Sequence, residues 1–139
     1  MDLRGTAVII GALGLAVALG PRAYAQYVGR PADKPVRMDG ASMSAKLVDP
    51  TARAKKQAAA VQVAVKGVRI VDPALSGEKP IKGQGHLHYQ VDDGPVIATT
   101  APKLSFHGLK PGAHTITIAL AANDHSPLGP QEKLTVTIP

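Results

Sequence analysis

The chain of 139 residues contains no cysteine. Disulfides, thiol nucleophiles, thiolate zinc sites and cysteine-ligated copper centres are therefore excluded. So is a lipid-modified N-terminal cysteine. Tryptophan is absent too, and one Phe and three Tyr bring the aromatic content to only 3%. Base-stacking platforms need aromatic faces, and phosphate grooves need denser Lys and Arg than occur here. Nucleic acid is not an expected partner. Long hydrophobic runs are also lacking. The longest, residues 5–20, falls short of the roughly 20 residues that span a bilayer.

That run suits export instead. It follows a short segment carrying Arg4, is broken by Pro21, and precedes Ala23-Tyr24-Ala25. Small residues at two positions before the cut are what a signal peptidase requires. Residues 1–25 are predicted to be a signal peptide, with Gln26 opening the mature chain. The expected location is periplasmic or secreted, with no membrane span after cleavage. Cleavage leaves 14 basic and 9 acidic residues, a net charge of +5. Much of the excess lies in residues 30–69. It reads as a solvated basic segment, which also suits docking to another envelope component.

Residues 26–60 read as a linker. Gly29, Pro31, Pro35 and Gly40 interrupt them, and the segment up to residue 48 has no sustained apolar period. Asp49-Pro50 resembles a helix start, with Asp accepting from first-turn amides and Pro at the first helical position. A short helix is predicted at 50–60, too short to be stable unless it packs on the domain.

From Val61 the period becomes two. Val61, Val63 and Val65 share one face. Val68 and Ile70 resume in opposite phase, and a bulge at Gly67 would realign them. Leu87, Tyr89 and Val91 line a second strand, followed by the turn residues Asp92-Asp93-Gly94 and the strand "PVIATT". Leu104 and Phe106, then Ile116, Ile118 and Leu120, then Leu134, Val136 and Ile138 complete the set. Lys110-Pro111-Gly112 suits a type II turn. About six strands with turn signals between them predict an all-β fold: a small antiparallel sandwich over residues 61–139.

Strand phase also places the histidines, because one residue's step reverses side-chain direction. His86 and His88 are out of phase with Leu87 and Tyr89. They are expected on the outer, solvent-facing side, about 7 Å apart along the strand. His125 sits in the loop "NDHSPLG" beside Asp124. One reading joins His86, His88 and His125 into a Cu(II) or Zn(II) site, with Asp124 or His107 as additional donors. The other leaves them as exposed strand residues without a ligand. His114 is in phase with Ile116. It is expected to act as a corner residue that donates to a backbone carbonyl, rather than as a ligand.

Catalytic patterns are weak. Ser105 with His107, or Asp124 with His125, are sequence neighbours, not a converging triad. The glycines of "GEKPIKGQG" lack the ending of a phosphate loop. No enzymatic activity is expected.

The string "GHLHYQVDDGP…LKPGAHTITIALAANDHSPLG" resembles a family of small exported bacterial domains of unknown function. Its pattern is Gly-His-x-His, Val-Asp-Asp, Leu-x-Pro-Gly-x-His and a later histidine. His86, His88, His114 and His125 fall on that pattern in order, within residues 61–139. The resemblance implies an immunoglobulin-like sandwich and brings no activity, cofactor or partner. The segment "GPVIATTAPKLS" departs from it by lacking tryptophan. A weaker likeness links the chain to cysteine-free periplasmic copper carriers. Those rely on a histidine near the mature N-terminus, where this chain has Gln26, so their copper site does not carry over.

Two functional expectations follow. The first is an exported metal-binding domain using His86, His88 and His125. The second is a structural or protein-interaction module of the cell envelope that holds no metal.

Overall fold

Alternation of apolar and polar residues becomes ladder pairing in two facing sheets. A computed structural model of the protein describes residues 8–9, 17–19, 40–77 and 79–139. Most of the predicted signal peptide, and residues 26–39 of the predicted linker, lie outside the described residues. Two short strands within residues 1–25 are described, β1 (Val8–Ile9) and β2 (Val17–Leu19).

The main strands are β3 (Ser42–Leu47), β4 (Ala59–Lys66), β5 (Arg69–Ile70), β6 (Gln84–Val91), β7 (Val96–Thr99), β8 (Lys103–His107), β9 (Gly112–Ala121) and β10 (Pro127–Ile138). One sheet runs β1-β8-β4-β3. The other runs β10-β9-β6-β7-β2, with β5 also paired to β6. Every pairing is antiparallel except β5 with β6. The chain passes repeatedly between the sheets, the Greek-key order of an immunoglobulin-like sandwich. Among the described residues, no helix is long and apolar enough to cross a membrane.

Leu87, Tyr89, Phe106, Ile116, Ile118 and Leu120 are fully buried between the sheets. Burial of each such side chain contributes about 1.5–3 kcal/mol. Tyr89 keeps its polar end satisfied by donating to the Ala101 carbonyl at 2.7 Å.

Three local expectations need correction. Ser42–Leu47, inside the predicted linker, is a strand of the first sheet. Met43, Ala45 and Leu47 alternate inward and pair with β4, so this segment is a strand. Its period was masked by Ser and Lys on the alternate positions and by small Ala45. The predicted helix at 50–60 is only one turn, Pro50–Ala54. Pro50 does open it, but Asp49 adopts φ 47° and makes no side-chain cap. Ala59 and Ala60 already belong to β4, whose ladder to β8 outweighs their helix propensity. Gly67, finally, is not a bulge within one strand. It carries φ +77°, and a Cβ there would lie 2.9 Å from the Gly40 carbonyl carbon. The chain turns at this point from the first sheet to the second, where β5 joins β6.

Gly85 explains the glycine preceding His86. A Cβ at this position would meet the Ala121 carbonyl oxygen at 2.7 Å and Leu128 Cδ1 at 2.8 Å. Backbone on one side and core on the other leave no room. Gly85→Ala is expected to cost about 1–3 kcal/mol, the usual range for overpacking. The measurement is a urea midpoint at unchanged slope. An unshifted midpoint would contradict this packing.

Candidate metal centre

His86 and His88 project from β6 on the face opposite Leu87 and Tyr89. The register explains what surrounds them. His88 lies between Ala98 of β7 and Ala119 of β9, and His86 pairs with Ala121. Paired residues share a face, so the imidazoles stand among methyl groups rather than long polar chains. Both are buried, His86 at 0% and His88 at 2% exposure. This corrects the expectation of a solvent-facing pair. Phase gave the side of the sheet correctly, but alternation does not reveal whether that side is covered. The alanines at 98, 119 and 121 were the available signal, since a wetted face rarely carries three in register.

His125 arrives from the β9–β10 connection. Ala121 pairs with both His86 and Pro127, so residues 122–126 turn back directly beside His86. The turn is fixed by Ala122 N–H donating to Ser126 O and His125 N–H donating to Ala122 O, both at 2.8 Å. Asp124 Oδ1 accepts from the Ser126 amide at 3.0 Å and from its hydroxyl at 2.5 Å. His125 takes φ 67°, the left-handed region, which turns its ring toward β6.

The three rings converge on one point. His86 Nε2 and His88 Nε2 are 2.8 Å apart, and His125 Nδ1 lies 3.1 Å from each. Among the described residues, these three form the group of side chains able to hold a metal ion. No family model, curated protein or solved structure matches the chain. Its chemistry is read from these atoms.

Hydrogen bonding does not account for the triangle. A ring nitrogen is either an N–H donor or a lone-pair acceptor. Three nitrogens of two kinds must include two alike, and that pair faces each other without a hydrogen bond. Protonation does not help, because it adds further N–H groups to the same point. A cation at the centre lets all three present lone pairs at once.

Electrostatics point the same way. Burial, and then the neighbouring His125, pushes the His86 pKa from 6.5 down to about 4, against the pull of Asp124 and Asp72. Burial, with His86 and His125 next in weight, pushes His88 down to about 3. His125 is lowered by partial burial, opposed by Asp124. The rings are thus neutral imidazoles at pH 7, the form that ligates metals. Asp72 and Asp124 meanwhile favour positive charge near His86.

Several residues escaped the sequence reading. Asn123 is buried at 2% exposure, and its Nδ2 donates to Gln84 Oε1 at 3.3 Å, tying the loop to β6. Asp72 follows the parallel β5, whose Ile70 pairs with Gly85, and so comes close to His86. Parallel pairing of a two-residue strand leaves no trace in the sequence. His86 Nδ1 is buried without a hydrogen-bond partner, a cost to folding of about 1–3 kcal/mol.

His107 ends β8 in the opposite sheet and does not join the cluster. His114 is the expected corner residue. Its Nε2 donates to the Lys110 carbonyl at 2.6 Å and its Nδ1 to Asp92 Oδ2 at 2.7 Å. Asp92 Oδ1 also accepts from the Thr115 amide at 2.9 Å. Burial alone would lower the His114 pKa, but the Lys110 carbonyl and the Asp92 carboxylate together raise it above 6.5. In a proton NMR titration, His114 is expected to titrate above 6.5 and to fall toward it in Asp92→Asn. An unmoved midpoint would break this assignment.

Proposed function

We propose that this is an exported, non-enzymatic domain that binds a divalent transition metal, Cu(II) or Zn(II), through His86, His88 and His125. The observation carrying this reading is the triangle of three ring nitrogens, each within 3.1 Å of the other two. Neutral imidazole suits both metals. The export part rests on the leader: an apolar run, Pro21 and the Ala23-Tyr24-Ala25 site. Calorimetric titration at neutral pH is expected to give one site per chain with Zn(II) or Cu(II). His88→Ala should abolish it. No heat with either metal would overturn the reading. Elemental analysis of protein from its native compartment identifies the ion.

A second reading, an interaction module of the envelope, has its own observation. Leu75 is 85% exposed and Ile81 49% exposed. Both lie on the loop between β5 and β6, near Lys79 and Lys82 in sequence. It predicts a partner that co-purifies with the chain and is lost in Leu75→Ser/Ile81→Ser, with metal uptake unchanged.

A further inference from the structure

Charge is distributed unevenly over the strands. β3 carries Lys46, and β10 carries Glu132 and Lys133 with a register shift between Pro127 and Gln131. Both are outer strands of their sheets. Charged side chains, prolines and irregular register keep an exposed sheet edge from pairing with another chain. The strands inside the second sheet, β6, β7 and β9, contain no Asp, Glu, Lys or Arg. In β7 the four successive residues Val96, Ile97, Ala98 and Thr99 are all buried.

What makes β7 an interior strand is β2. Among the described residues its neighbours are β6 and β2, and Val17, Ala18 and Leu19 pair with Ala98, Ile97 and Val96. β2 lies within residues 1–25. Once those residues are cleaved, the backbone N–H and C=O groups that faced β2 stand unpaired, a template for another strand. β8 loses β1 in the same way, but it opens on the exposed Lys103, which guards it. Within Val96–Thr99, β7 has no such guard.

We infer that in the mature chain β7 pairs antiparallel with β7 of a second copy about a two-fold axis, joining two sheets into one. This rests on the export reading proposed above, because the edge opens only when residues 1–25 are removed. Three observations favour a second copy. A two-fold operation satisfies the same edge on both chains at once. An uncharged β7 brings no like charges together, although the mature chain carries a net charge of +5. β2 shows that this edge accepts an antiparallel strand of three uncharged residues, and β7 is itself such a strand, one residue longer. Four residues a side make a small interface, so the dimer is weak and reversible.

The chain is expressed at full length, recovered from the exported fraction, and its N-terminus read by mass spectrometry. Protein beginning at Gln26 should sediment as a single chain when dilute and at twice that mass toward about 1 mM. Val96→Lys places a charge on the edge and should sediment as a single chain throughout, with an unchanged circular dichroism spectrum. Hydrogen exchange of the unsubstituted protein gives a readout independent of that variant. Protection within Val96–Thr99 should fall on dilution, while β9 and β10 keep theirs. A single chain at every concentration would overturn the inference. So would a dimer whose Val96–Thr99 amides exchange alike at all concentrations, or a different protein's strand bound at β7. If residues 1–25 are found retained, the export reading itself fails, and this inference with it.

Discussion

Zinc(II) at about a thousand times its dissociation constant is expected to raise the melting temperature by roughly 15–30 °C. An ion that binds only the folded chain stabilises it by about 4 kcal/mol at that excess. For a domain of this size, each kcal/mol moves the midpoint by about 4–8 °C. The binding-competent nitrogens come from β6 and from the β9–β10 turn, so no such site exists in the unfolded chain. His88→Ala should abolish the rise. Changing the group that orients a ligand already costs about 10–100-fold in affinity, and losing a ligand costs more. The metal-free variant need not be much weaker than the parent, because a pair of like nitrogens disappears with the ring. Should the cavity nonetheless prevent folding, His125→Ala gives the same readout, since its ring is only half-buried. A full rise retained in both variants would sink the three-histidine site.

Acid should have the second large effect. In metal-free protein, His86 and His88 are held neutral, with folded pKa values of about 4 and about 3 against 6.5 in the unfolded chain. Below 6.5 the unfolded chain takes up protons that the folded chain refuses. Stability is therefore complete above pH 6.5, falls as the pH drops, and levels off only below about 3. A shift of the size seen at His86 corresponds to about 3 kcal/mol. The two rings titrate as a coupled pair, so their contributions do not simply add. Urea midpoints measured from pH 7 to pH 4 should fall steeply, and His86→Gln/His88→Gln should flatten the curve. His114 acts in the opposite sense. Its raised pKa gives stability that is complete below 6.5 and is lost as the pH rises through the folded value. A parent curve with no slope in the acid range would show that the two imidazoles are not buried as described.

Metal loading and acid sensitivity are linked by one cause. The site is dry enough to keep its nitrogens unprotonated, and it carries no charge of its own. That makes it a poor proton acceptor and a good cation acceptor. Zinc should therefore protect most at neutral pH and lose its effect as the rings protonate.

Much of this was legible along the chain. Period-two alternation from Val61 to Ile138 specified strands, because only an extended chain sends every second residue to one face. Turn residues such as Asp92-Asp93-Gly94 and Lys110-Pro111-Gly112 marked where those strands end. The phase of Leu87 and Tyr89 put His86 and His88 together on the opposite face, and His114 read correctly as a corner residue. Each of these depends on local backbone geometry, which the sequence contains. The strand at Ser42–Leu47, the crossing at Gly67 and the cover over the outer face depend on partners far along the chain. So does the meeting of His125 with His86, which are 39 residues apart. It exists because β9 pairs with β6 and β10 turns back beside it, and no local rule states which strands become neighbours. The donor types belong to the sequence, while their convergence, dryness and spacing belong to the packed sheets.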